Sequence, residues 1–212
     1  MRFRALIYKE LRECMPIVSG LSLILLILGF MMMRFLYSTV RVAEIKPVYE
    51  VCGGYLLAFS IVLGIILSVR QFYIEFSMKL WGFLLHRSVT KESILFAKIF
   101  TGFICFIPFL SMWTIFYFYT KPVFVTPPEL SYLWKGFVFA AFGYVSYLAV
   151  TLSTLSQAKW YTTKKMGIVF GLWMFIMLMI QWRLLGAWLV IIISASILLI
   201  QITDLFLNRE FE

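Results

Sequence analysis

The chain has 212 residues, 63% of them hydrophobic and 14% charged, with 19 Lys and Arg against 10 Asp and Glu for a formal charge of +9. A soluble domain is nearer one half apolar and one quarter charged, so the composition excludes a water-soluble globular fold and points to a single integral membrane domain over residues 1–212. Three cysteines without metal-ligand spacing give neither a disulfide framework nor a zinc site.

Residues 1–15 come first. Phe3, Leu6, Ile7 and Leu11 cluster on one side of a helix, with Arg2, Lys9 and Arg12 elsewhere and Glu10 between them. That pattern predicts an amphipathic interfacial helix lying in the head-group plane. The apolar run that follows is too long for the core of a cleavable signal, and no A-x-A-like site closes it, so the segment is expected to stay in the mature protein.

Apolar runs free of charge then fall at Pro16–Met33, Val51–Val69, Ile99–Thr120, Gly136–Ala158, Met166–Trp182 and Leu184–Thr203. Each can cross a hydrocarbon core of about 30 Å as a helix, the fifth only barely. The expected fold is therefore an all-α membrane protein with six transmembrane helices and both termini on one side. Of the 19 basic residues, 13 fall at the termini and in the stretches after the second and fourth runs, which places that side in the cytoplasm. A bacterial cytoplasmic (inner) membrane is the expected location. Tyr37, Trp134, Trp160 and Trp182 near the run ends suit the interfacial aromatic belt. The basic excess follows the inner leaflet, so membrane lipid rather than nucleic acid is the expected partner.

Along the second run, Ser60, Gly64 and Ser68 recur every fourth residue and allow close backbone approach, with packing inside one subunit weighed above a dimer face. The fourth run carries Tyr144, Tyr147, Thr151 and Thr154 on one helical face. Two readings stand for these hydroxyls: a polar substrate path, or hydrogen bonds to neighbouring helices.

The segment 77–90 between the second and third runs is both basic and greasy. The helix of the second run is expected to continue past Val69 to Glu75. Leu80/Leu84 and Trp81/Leu85 then pair at i, i+4 in a short cytoplasmic helix that ends in His86 and Arg87. Ser88 or Thr90 can cap the next helix, with Glu92 favoured in its first turn. Again two readings stand, an interfacial anchor or a knob that inserts into a groove of a cytoplasmic partner.

No Asp, Glu, Lys, Arg or His occurs inside the six runs, which removes the buried ionisable group that gradient-coupled pumps use. The phosphate-binding glycine motifs are missing as well, and His86 is the only histidine, so no catalytic set is legible. Work on a solute would need an energy-supplying partner.

RALIYKELREC, residues 4–14, resembles the N-terminal interfacial helix of ABC exporter permeases of the second type. The phrase with Glu75, Gly82, Leu84, Leu85, His86 to Thr90 and Lys98 resembles the coupling segment of the same family. The resemblance implies a permease subunit without enzyme activity or cofactor of its own, and a coupling helix formed by Leu80, Trp81, Leu84, Leu85, His86 and Arg87. It further implies a separate cytoplasmic ATP-binding subunit carrying ATP and Mg, and a second permease copy, identical or similar, pairing around the path. Phe3, Ile7, Lys9 and Glu10 would brace the ATP-binding subunit. Ser88 stands where the family usually has proline, and almost no residues separate the fifth and sixth runs, where the family commonly places re-entrant helices. A non-transporting membrane scaffold or sensor subunit is the alternative.

Overall fold

The computed structural model describes residues 2–39, 46–77, 90–121, 128–155 and 184–208. Every regular element among them is helical. α1 (Arg2–Thr39) is followed by α2 (Lys46–Ser68), a π-helical turn (Val69–Tyr73) and α3 (Ile74–Ser77). After the segment 78–89 come α4 (Lys91–Ile104), α5 (Ile107–Thr120), α6 (Leu130–Leu155) and α7 (Leu184–Leu207). Five stretches are long and apolar enough to cross a membrane, α4 and α5 together making one of them. Five rather than the predicted six are thus present among the described residues. The predicted fifth span, Met166–Trp182, lies outside them, as does the predicted coupling helix with Leu80, Trp81, Leu84, Leu85, His86 and Arg87.

α1 corrects one expectation. Residues 2–39 form one helix, with no break between the predicted interfacial segment and the first span. Pro16 removes one backbone donor, but its ring meets only the turn before it, and a single proline can be carried within a long helix. At 1.5 Å per residue the helix is about 57 Å long, well beyond the hydrocarbon thickness. The predicted interfacial segment thus continues the first span as one helix.

The third span is also interrupted. Pro108 has no N–H to give and excludes a helical bond to Ile104, so Cys105 and Phe106 form a tight turn in which the Phe106 N–H donates to Phe103 O at 3.1 Å. Thr90 caps α4 with its hydroxyl accepting from Ser93 N at 3.3 Å, and Glu92 sits in the first turn as expected.

α6 is the central helix. The apolar window of its span is 67% buried, against 17% for that of α1, which lies at the lipid-facing edge. Its most extensive contacts are with α2, then with α7. The α2–α6 crossing rests on Ser60, Gly64 and Gly143. A Cβ on Gly64 would lie 2.5 Å from Gly143 O and 2.9 Å from Tyr147 N, and one on Gly143 would lie 2.6 Å from Ser60 O. Ser60 and Ser68 are fully buried, so the small-residue stripe of α2 packs within the subunit, as weighed from the sequence.

The Lys91 amine reaches Leu207 O at 3.4 Å, which sets the end of α7 beside the start of α4. One end of the bundle, the near end, thus gathers the starts of α1 and α4 and the ends of α3, α6 and α7. The far end gathers the end of α5 and the starts of α2 and α6. There Tyr49 packs against Trp113, Phe116, Tyr117 and Tyr132 and its hydroxyl bonds that of Thr120. The Trp113 indole donates to Tyr132 O at 3.2 Å and the Tyr117 hydroxyl to Pro128 O at 3.2 Å, closing that end with paired aromatics.

Candidate functional site

Among the described residues the near end holds the most unusual chemistry. Lys98, two turns into α4, follows Ile94, Leu95 and Ala97 on the buried side of that helix. Its side chain is wholly buried. Its ammonium donates to Glu10 Oε1 at 2.8 Å and lies 2.9 Å from Glu75 Oε2, two carboxylates that are themselves almost fully buried. The ammonium also stands 5.7 Å from the centre of the Phe72 ring.

Each partner comes from a different element. Glu10 is carried on the first turns of α1. Glu75 is carried on α3, where the π-helical turn sets its phase: the wider turn rotates the following residues relative to α2 and brings Gln71, Phe72 and Glu75 onto the buried side. The helix does continue from the second run through Glu75, as the sequence predicted.

A half-exposed rim surrounds this core. Lys9 donates to Glu75 Oε1 at 3.3 Å and lies 3.8 Å from Glu13, while Arg70 reaches Glu13 Oε2 at 3.5 Å. Three acidic and three basic side chains thus form a set with no net charge. The rim pairs contribute little because solvent screens them, whereas the core pairs are strong and costly to break.

Tyr147 of α6 joins the cluster from the other side. Its hydroxyl donates to Gln71 Oε1 at 2.7 Å and also lies 3.2 Å from Lys98 O, and the Gln71 amide reaches Cys14 Sγ at 3.5 Å. Gly102 makes this possible, since a Cβ there would meet the Tyr147 ring at 2.6 to 2.9 Å. Tyr147→Phe is expected to cost about 1–3 kcal/mol, because buried Gln71 loses its partner, and a lowered melting temperature in detergent would show it.

The remaining predicted residues are placed as follows. Phe3 is partly exposed and faces Phe96 with ring centres 5.9 Å apart, Ile7 is half-buried, and Lys9 and Glu10 belong to the charged cluster. Tyr144 packs against Phe103 and Phe106. Thr151 is buried and bonds Ser68 at 3.0 Å, and Thr154 donates to Thr151 O at 2.8 Å. Tyr147 and Thr151 thus reach side chains of neighbouring helices, whereas Thr154 bonds within α6.

The cluster stands at the ends of the charge-free runs rather than inside them. The charge-free runs end at Val69 and begin at Ile99, but the helices run on past both limits, and Lys98 and Glu10 fall within stretches long and apolar enough to span. Charges placed singly at three run ends become one neutral set when the helices pack. The signal in the sequence was Lys98 itself, a lysine on the same face as Ile94, Leu95, Thr101 and Gly102. The cluster anchors α1, α3 and α4 to one another on both sides of the segment 78–89. Comparison with protein-family models, with curated proteins and with solved structures finds no match.

Proposed function

We propose that the chain is the membrane-spanning permease subunit of an ATP-driven exporter, forming the substrate path with a second permease copy and coupled to separate cytoplasmic ATP-binding subunits. The observation that carries this reading is the Glu10–Lys98–Glu75 cluster. The segment 78–89 leaves from α3 and returns into α4, and the buried Lys98 ammonium of α4 lies 2.9 Å from Glu75 on α3 and 2.8 Å from Glu10 on α1. A partner that pushes on that segment cannot move one of these helices alone. The displacement passes to α2 through the π-helical turn, to α4 directly and to α1 through Glu10, so three spans tilt as a unit.

Leu80, Trp81, Leu84, Leu85, His86 and Arg87 form the docking knob in this reading, and the direction of transport follows from the family resemblance. The chain supplies no hydrolytic chemistry; ATP and Mg belong to the partner. Trp81→Ala combined with Leu85→Ala is expected to lower recovery of the ATP-binding subunit in the purified complex about tenfold, the effect of removing two buried anchors from a docking surface. Unchanged recovery together with unchanged export would refute the proposal. A scaffold or sensor subunit would instead purify without an ATP-binding protein in stoichiometric amount.

A further inference from the structure

In the half of the bundle towards the far end, α1, α2 and α5 leave a groove of about 790 Å³ between them. Its size lies within the roughly 300–1,000 Å³ of small-molecule sites. The floor is made by buried side chains, Cys52, Leu56 and Trp113. The rim is apolar and exposed: Phe30 is 66% accessible and Ile115 67%. An exposed apolar rim on membrane-spanning helices faces acyl chains, so the groove opens sideways to lipid.

Among the described residues the lining contains one charged side chain, Arg34. It stands three residues beyond the apolar stretch of α1, which ends at Met31, and shares the groove with Tyr119, one residue before the end of α5. Both positions are those of the head-group region, where tyrosine is favoured. Arg34 is exposed and makes no ion pair among the described residues. From Leu25 to Arg34 the α1 wall runs about 13 Å, apolar until its last turn.

An occupant that complements this wall has a hydrocarbon body and a single anionic head. We propose that the groove is a binding site for a membrane phospholipid, with acyl chain against Leu25, Gly29, Ile115 and the aromatic floor and phosphate on the Arg34 guanidinium, whose planar fork suits phosphate oxygens. This site is independent of the exporter reading, since it needs neither the partner nor the segment 78–89.

The test is native mass spectrometry of the full chain released from detergent, titrated with phosphatidylglycerol and, as a phosphate-free comparator, diacylglycerol. The wild type is expected to hold one phosphatidylglycerol. Arg34→Gln is expected to bind it about tenfold more weakly, the loss of a charge-assisted contact, with binding of diacylglycerol unchanged. Arg34→Lys should stay within about threefold of wild type, because the charge remains.

Gly29→Phe blocks the groove itself. A Cβ at Gly29 meets nothing within 4 Å, so the variant is expected to keep its melting temperature while losing both lipids. Equal retention of phosphatidylglycerol by wild type, Arg34→Gln and Gly29→Phe would overturn the proposal. So would a lipid-free wild-type dimer that Gly29→Phe converts to monomer, an outcome that assigns the groove to a second copy.

Discussion

Lys98→Met is expected to be the most destabilising single change in the chain, lowering the unfolding free energy in mixed micelles by about 3–5 kcal/mol. Lys98 is wholly buried and faces Glu10 and Glu75 at 2.8 and 2.9 Å. Removing it leaves two carboxylates buried with only the half-exposed Lys9 nearby, at 4.0 Å from Glu10 and 3.3 Å from Glu75. The cost is thus mostly that of uncompensated buried charge rather than of lost attraction. The prediction separates these: Lys98→Met combined with Glu10→Gln and Glu75→Gln should recover more than half of the loss, because the neutral set no longer holds an unpaired ion. Additive losses in the triple variant would mean that the three groups do not act as one set.

Recovery of stability need not bring recovery of work. In the proposed mechanism the cluster transmits displacement from the segment 78–89, so the neutralised variant should fold and bind its ATP-binding partner yet show impaired export. A charge-neutral packing device would leave export intact once stability returns.

Much of the architecture is legible in the residues alone. The limits of the sixth run lie within a few residues of those of α7, because loss of hydropathy and the end of the helix coincide there, whereas beyond α2 the helix runs on through the π-helical turn to Ser77. They do not coincide at α1 or α4. Helices extend into amphipathic sequence when another helix covers the polar groups, and a one-dimensional reading of apolar runs cannot see that cover. Lys98 illustrates the gap: its role as the first residue outside a span follows from the sequence, whereas its burial follows only from Glu10 and Glu75, which arrive from 88 residues before it and 23 before it on separate helices. Tyr147 illustrates the converse. Its helical face was plain from the spacing, but only the position of Gln71 on a π-helical turn decides that the hydroxyl is spent inside the bundle.

Gly64→Ala is expected to show the second large effect, about 1–3 kcal/mol of destabilisation from a single methyl group. The added carbon would sit 2.5 Å from Gly143 O and 2.9 Å from Tyr147 N. Both are backbone atoms of the central helix, which cannot rotate aside as a side chain can, so α2 and α6 must separate. Gly54→Ala on the same helix is the control, since a Cβ there meets nothing within 4 Å and surface changes of this kind stay within about 0.5 kcal/mol. Equal melting of the two variants would show that the crossing is not this close. Separation would also be felt at the near end, because Tyr147 lies one turn beyond Gly143 and holds Gln71, which in turn touches Cys14. In a Cys52→Ala, Cys105→Ala background, Cys14 is the only thiol and is wholly buried when α6 is in place. Gly64→Ala should therefore speed its alkylation while Gly54→Ala leaves the rate unchanged, which would trace one steric contact at the middle of the bundle through Tyr147 to the cluster that ties the helices at its end.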